Sequence, residues 1–113
     1  MVTIPTVSLP IFDESVMVVR APGSGPGNWA GAPSAVWADG AYWLAYRVRR
    51  PIDAGRGVAV VVARSTDVVE FAPEVRLYRD DFGAESFERP ALVQLPTGGR
   101  PLYLSCATPD SKH

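Results

Sequence analysis

The sequence is poor in the residues that build metal centres and covalent cross-links. Its 113 residues include one cysteine and one histidine. An internal disulfide is therefore excluded, and no group of thiols and imidazoles is available to bind zinc. We expect no metal site and no cofactor. Cys106 lies in an apolar stretch typical of a buried structural thiol, and His113 is the only imidazole that could serve it as a base.

An excess of charge of one sign is also missing. The formal net charge is −1, and the arginines are scattered instead of forming a basic block. Nucleic acid and anionic membrane are therefore poor partners for this chain. The first residues lack the basic and apolar segments of a secretory signal, and no apolar run is long enough to span a bilayer. These absences favour a cytoplasmic protein.

Helical periodicity is the third absence, because apolar residues recur nowhere at a sustained spacing of 3.6 residues. Instead, β-prone runs follow one another at residues 33–38, 41–49 and 57–65. Asp39 and Gly40, which readily take positive φ, predict a tight hairpin between the first two runs. The second and third runs carry apolar residues on both faces, which predicts strands that are covered on both sides.

The rest of the chain flanks or repeats this meander. A further run at residues 71–78 completes a predicted four-stranded antiparallel sheet, and a charged, solvated connection is expected at residues 79–88. Residues 89–107 then repeat the first hairpin in pattern, with Pro90 in the place of Pro33. A repeat with four strands per period is typical of a β-propeller.

We therefore predict an all-β fold, a partial β-propeller with one four-stranded antiparallel blade and the first hairpin of a second blade. The chain is expected to be a single incomplete propeller domain, residues 1–113. Within it, residues 1–31 form an N-terminal arm and a glycine-rich loop, residues 32–78 the first blade, residues 79–88 the connection, and residues 89–107 the start of the second blade.

Trp29 falls inside the glycine-rich loop predicted for residues 23–31. Two interpretations of this tryptophan stay open. Its ring either covers the end of the sheet as a hydrophobic lid, or it offers a face on which a sugar ring stacks. A short β-prone run at residues 16–19 precedes the loop, and residues 1–13 form an irregular arm that is able to donate an edge strand.

These motifs resemble those of five-bladed β-propeller glycoside hydrolases, the architecture shared by arabinanases, β-xylosidases, levansucrases and invertases. The resemblance covers about residues 31–107. It rests on x-Pro-Ser-x-Val at residues 32–36, Asp-Gly-x-Tyr-Trp-Leu-x-Tyr at 39–46, Ser-x-Asp-x-x-x-Phe at 65–71, and x-Pro-Ala-x-Val at 89–93.

The resemblance implies a carbohydrate-related protein. Such enzymes cleave glycosidic bonds with carboxyl groups that project from the innermost strands into a central funnel. The position of the usual base or nucleophile corresponds to Ala32 here, and the proton donor is expected on a later blade. A truncated or fragmentary propeller that is not catalytically competent alone is therefore expected, with an oligosaccharide or polysaccharide as its partner.

The same resemblance implies the site residues. Glu88, or Glu85 close to it, is the remaining candidate for a catalytic carboxylate. Trp29, Arg47 and Arg89 are implied as substrate-binding residues that line the funnel together with Glu88. The alternative for Glu88 and Arg89 is that they form structural ion pairs at the junction of the blades.

Two other functions stay open. A non-catalytic carbohydrate-binding module is favoured by Ala32 and by the supply of tryptophan and tyrosine. An interaction module would use open sheet edges to pair with another chain, including a copy of itself. The chain departs from the family at one more point: Val68, which tolerates positive φ poorly, stands in a turn where the family usually has glycine.

Overall fold

The computed structural model describes residues 12–109, and over this range the chain is all-β, as predicted. The eight strands are β1 (Trp29–Ala38), β2 (Ala41–Arg49), β3 (Gly57–Ser65), β4 (Ala72–Tyr78), β5 (Ser86–Phe87), β6 (Ala91–Leu92), β7 (Leu102–Tyr103) and β8 (Cys106–Ala107). Short 3-10 turns lie at Phe12–Glu14, Ile52–Ala54 and Arg79–Phe82. Within the described range, no helix is both long enough and apolar enough to cross a lipid bilayer.

The first four strands form one antiparallel sheet in the order β1-β2-β3-β4, so the predicted meander is confirmed. Asp39 and Gly40 both take positive φ, 54° and 75°, at the turn between β1 and β2. This is the geometry that a two-residue hairpin requires. The predicted bounds of β2 and β3 are also confirmed, and β4 begins one residue later than expected.

Strand β1 begins earlier than the sequence indicates. Trp29 and Gly31 pair with the last residues of β2, so the prediction of a loop through residue 31 was wrong at its end. The register then shifts between Gly31 and Ser34, where Ala32 takes a φ of 51°. A bulge of this kind lets a strand continue past a residue such as Pro33, which has no N–H to donate.

The segment before β1 also differs from expectation. Residues 16–19 form no strand, although Val19 packs against the sheet beside Tyr46. Of the predicted N-terminal arm, residues 1–11 lie outside the described range. Residues 16–19 are β-prone in composition, but they pack against part of the sheet without adding a strand to it.

The second hairpin is confirmed, and it is longer than predicted. Strand β5 pairs with β8 and β6 with β7, and between them the N–H of Glu88 donates to the carbonyl oxygen of Ser105 at 2.7 Å. The expected solvated connection was wrong in its second half, because Phe87 is fully buried at 0% exposure. Because Phe87 has charged neighbours in the sequence, its burial could not be predicted from the local pattern.

The hairpin packs face to face on the sheet. Leu92 lies against Ala45 and Val62, and Phe87 lies against Val60. Burying a side chain the size of Leu92 or Phe87 contributes roughly 2 kcal/mol each. The opposite face of β2 and β3 has its own apolar cluster of Tyr46, Val61, Ala63, Val19 and Phe71, with Leu44, Ala30 and Val48. Strands β2 and β3 are therefore covered on both sides, as predicted.

The two layers lie in close contact at Gly57. Its N–H donates to the hydroxyl oxygen of Ser86 at 3.0 Å. A Cβ atom added to Gly57 would lie 2.0 Å from the carbonyl oxygen of Phe87, far inside van der Waals contact. Glycine is therefore required at this position, because the backbone of Phe87 lies where a side chain would be. The missing side chain allows β3 and β5 to lie this close together.

Replacing Gly57 tests this close approach. We expect Gly57→Ala to lower the free energy of unfolding by about 2 to 3 kcal/mol, because a backbone carbonyl cannot move aside as a side chain does. Urea denaturation followed by circular dichroism measures the change. Gly99→Ala is the matched control, since its added Cβ would lie 3.6 Å from Leu95, an ordinary contact. Equal stability of the two variants would contradict the proposed approach.

Candidate binding site

The junction between sheet and hairpin carries a group of charged and aromatic side chains, which we call the arginine cluster. Its members are Trp29 on β1, Arg47 and Arg49 on β2, Arg56 in the loop before β3, and Glu88 after β5. Arg47 and Arg49 are two residues apart on one strand, so their side chains lie on the same face of the sheet. Trp29 pairs directly with Arg49 across the β1–β2 ladder.

Glu88 binds two guanidinium groups. Arg47 donates from Nη1 to Oε2 of Glu88 at 2.6 Å, and Arg56 donates from Nη2 to Oε1 at 3.0 Å. The side chains of Arg47 and Glu88 are only 8% and 20% exposed. Charge-assisted hydrogen bonds of this kind are stronger than neutral ones. Both carboxylate oxygens are thus engaged, and the pair with Arg47 links the hairpin to the middle of the sheet.

Arg56 reaches Glu88 from a strained backbone. Its φ is 53°, in the left-handed region that costs a non-glycine residue about 1 kcal/mol. The loop holds this conformation through hydrogen bonds from the Arg50 N–H to the Arg56 carbonyl at 2.8 Å and from the Arg56 N–H to the Pro51 carbonyl at 3.2 Å. The strain is offset by the ion pair that this placement allows.

Trp29 lies beneath two arginines. The guanidinium carbons of Arg47 and Arg49 lie 4.7 Å and 5.8 Å from its ring centroid, within the range of cation–π contact. A Cβ at Gly31 would lie 3.0 Å from the ring, so the indole occupies space that only glycine leaves open. The half-buried Trp29 is therefore a strand residue packed among arginines, and it does not cover the sheet end from a loop.

The charges of the cluster are unequal. The cluster contains three guanidinium groups and one carboxylate. Arg47 and Arg56 bind the carboxylate, and Arg49 has no ion-pair partner among residues 12–109. The Nε atoms of Arg47 and Arg49 are buried and have no hydrogen-bond partner in the described part of the chain. Buried donors in folded proteins are normally satisfied. The cluster consequently has donors to spare and a net positive charge.

The structure brings together three of the four predicted site residues. Trp29, Arg47 and Glu88 meet in the arginine cluster, whereas Arg89 is exposed and forms no ion pair with another described residue. Glu88 does form ion pairs at this junction, which is the alternative given above for its role, and its partners are Arg47 and Arg56. Glu85 is exposed as well. Its backbone N–H donates to the carbonyl oxygen of Ala107 at 2.8 Å, and its own carbonyl oxygen accepts from Nη1 of Arg79 at 2.6 Å.

Two members of the cluster escaped the sequence analysis. Arg49 carried a usable signal, because it follows Arg47 by two residues on a predicted strand and must share its face. No sequence signal identified Arg56, because the direction of its side chain depends on a left-handed backbone conformation that arginine rarely adopts. The thiol predicted to be buried, Cys106, is half-buried beside Phe87.

A second contact between arginine and tryptophan joins the tips of the two hairpins. The guanidinium of Arg100 lies 4.4 Å from the ring centroid of Trp43 and forms an ion pair with Asp39. Trp43 also donates from Nε1 to the carbonyl oxygen of Ala38 at 3.1 Å. This contact and the arginine cluster therefore fix the hairpin to the sheet at two separate places.

The Ser-x-Asp segment forms a tight turn after β3. The hydroxyl oxygen of Ser65 accepts from the N–H groups of Asp67 and Val68, and Oδ1 of Asp67 accepts from those of Val69 and Glu70. The hydrogen bonds from Glu70, Val69 and Ser65 lower the pKa of the Asp67 carboxyl. Val68 takes a φ of 68°, which this network imposes on a β-branched residue.

No family model matches the chain, and comparison with curated proteins and with solved structures gave no match either. Within the described range, no group of three or more histidine, cysteine, aspartate or glutamate side chains is arranged to hold a metal ion. The side chains of the arginine cluster can donate hydrogen bonds, attract an anion and contact a ring.

Removing the charge of Glu88 tests how the cluster is held. We expect Glu88→Gln to lower the free energy of unfolding by about 3 kcal/mol, because Arg47 would remain charged and buried without a counter-ion. Glu85→Gln is the control, an exposed position where we expect a change within about 0.5 kcal/mol. Thermal and urea unfolding measure both. A Glu88 variant as stable as the control would show that the ion pair contributes little.

Proposed function

We propose that the β1–β4 sheet is one blade of a propeller-type architecture and that the β5–β8 hairpin belongs to the next blade. The sequential order of the sheet supports this proposal, as does the face-to-face packing of the hairpin in a separate sheet. Strand β1 of the sheet and strand β6 of the hairpin are neighbours, since the N–H of Leu92 donates to the hydroxyl oxygen of Ser34 at 2.9 Å. Successive radial blades place their innermost strands side by side in this way.

We further propose that the chain binds carbohydrate without hydrolysing it. Glycoside hydrolysis needs two carboxyl groups on either side of the scissile bond. In this chain Ala32 occupies the position of the usual base, and both oxygens of Glu88 are bound by arginines. That engagement of Glu88 is the observation that carries the proposal, because it occupies the first of the two carboxylate candidates. The other candidate, Glu85, is exposed and lies outside the arginine cluster.

The remaining features of the arginine cluster suit a sugar. Guanidinium groups present planar sets of donors to hydroxyl and carboxylate oxygens, and an indole offers apolar area to the C–H groups of a ring. Ligand sites in proteins commonly combine an aromatic surface with a few fixed polar groups. Trp29 and its two arginines provide this combination beside the junction of sheet and hairpin.

Pairing through open sheet edges is the weaker candidate. Among the described strands, β1 and β4 are the edges of the sheet, and each contains a proline, Pro33 and Pro73, beside a shift of register. Proline removes a donor from the edge, and a bulge twists the edge away from a flat partner. Both edges therefore carry features that oppose the addition of another strand.

The proposal is tested by binding and turnover together. Isothermal titration calorimetry against a panel of oligosaccharides is expected to find a ligand whose affinity falls about tenfold or more in Trp29→Ala. Trp37→Ala is the matched control, a 57% exposed tryptophan at the other end of β1. A panel of aryl glycosides is expected to show no turnover above buffer.

Two outcomes would contradict the proposal. Turnover that disappears in Glu88→Gln would make the protein a glycosidase. A ligand bound equally well by the Trp29→Ala variant, with its fold verified by circular dichroism, would place the binding site elsewhere.

A further inference from the structure

We infer that the arginine cluster is a site for a carboxylate and that its ligand is an acidic saccharide, one that carries a uronic acid. This inference rests on the proposed carbohydrate-binding function and narrows it to one class of sugar. It is carried by the unequal charges of the cluster, by its unsatisfied donors, and by the groove beside it.

The first argument is electrostatic. Arg47 and Arg49 lie within 6 Å of the centroid of one indole ring, which holds two positive charges near each other. Glu88 compensates Arg47 and Arg56, and no carboxylate among residues 12–109 compensates Arg49. A bound anion would relieve the repulsion between the two neighbouring arginines. The cluster is thus built to favour a second carboxylate.

The second argument comes from hydrogen bonding. Arg47 is 6% exposed as a whole residue, and its Nε–H is buried without an acceptor, as is that of Arg49. Buried donors are normally paired in folded proteins, so these two guanidinium groups have hydrogen-bonding capacity that no described residue uses. A carboxylate is the acceptor whose two oxygens match the fork of a guanidinium. Half-buried Arg49 is the more accessible of the two arginines.

The third argument is the presence of a groove. A cavity of about 300 Å³ is lined by Ile52, Gly55, Arg56, Arg79 and Glu85. Its volume is at the lower end of the range for small-molecule sites, which suits one or two sugar rings. Arg56 lines this groove and also binds Glu88, and it immediately precedes Gly57, the residue that pairs with Arg49. The groove and the arginine cluster therefore share Arg56.

The charges around the groove also point to a sugar carboxylate instead of a small, doubly charged anion. Glu85 faces the same cavity, and Arg79 is partly neutralised by Asp80 at 3.5 Å. An ion with two negative charges would be repelled by Glu85. A uronic acid carries one negative charge at one end of a ring whose hydroxyl groups can bind Glu85.

Calorimetry with matched sugars tests this inference. The ligands are oligomers of galacturonic acid, oligomers of galactose with the same linkage and length, and sodium sulfate. We expect the acidic oligomer to bind at least about tenfold more tightly than the neutral one. Arg49→Gln should reduce that preference to less than about twofold, and Arg49→Lys, which keeps the charge but not the fork, should retain part of it.

Arg64→Gln is the matched control, an exposed arginine on β3 that lies near Trp43 and outside the arginine cluster. It should keep the full preference for the acidic oligomer. Circular dichroism and thermal unfolding verify that each variant is folded, and the Lys variant covers the case in which Arg49→Gln is not.

The outcomes separate this inference from the function on which it rests. Equal binding of acidic and neutral oligomers would overturn the carboxylate site and leave carbohydrate binding standing. Sulfate binding as tight as the acidic oligomer, and equally sensitive to Arg49, would overturn the sugar as the ligand. Binding of none of the three would contradict the inference for this sugar, while a ligand elsewhere in the oligosaccharide panel would still support the broader function.

Discussion

The ion pair between Arg47 and Glu88 is the interaction on which the arrangement of the two layers depends. Arg47 lies in the central strand β2. Its neighbours on that face are apolar, namely Ala45 and Val60 of the sheet and Leu92 of the hairpin. A guanidinium in such a place is costly unless a counter-ion satisfies it. Among residues 12–109, the carboxylate that reaches it is Glu88 of the hairpin, at 2.6 Å. The sheet can keep its arginine buried only while the hairpin stays in position.

The other contacts of the junction follow from this pair. Glu88 has a second oxygen, and Arg56 adopts a left-handed backbone to bind it. The hairpin can come near enough only because Gly57 has no side chain. The indole ring of Trp29 contacts the same arginine, with its centroid 4.7 Å from the guanidinium carbon. The result is a rigid, positively charged surface with fixed donors, which is the physical basis for proposing a ligand there.

Much of the fold could be predicted from the sequence, because local patterns dictate it. Alternating and continuous apolar runs predict β2 and β3, and Asp39-Gly40 predicts the turn before β2. The start of β1 could not be predicted, since glycines next to Trp29 are typical of a loop and the bulge that accommodates Pro33 has no local signal. The burial of Phe87 was hidden for a similar reason, because only the packing of the two layers shows which side of a charged segment faces inward.

Part of the candidate site was predictable as well. The resemblance to propeller glycosidases selected Trp29, Arg47 and Glu88, which meet in the structure, but it also selected Arg89, which does not join them. Glu88 and Arg89 lie between β5 and β6, where no strand alternation fixes the direction of either side chain, so the sequence pattern could not separate them. The partners of Glu88 could not be predicted, because they come from a strand and a loop far away in the sequence.

A double-mutant cycle on Arg47 and Glu88 tests the central claim most directly. Arg47→Met, Glu88→Gln and the double variant would be compared by urea unfolding. If the buried pair joins the two layers, the double variant should be more stable than the sum of the single losses predicts, with a coupling of about 2 kcal/mol. Losses that add to within about 0.5 kcal/mol would show that the two side chains do not depend on each other, and the account would be wrong.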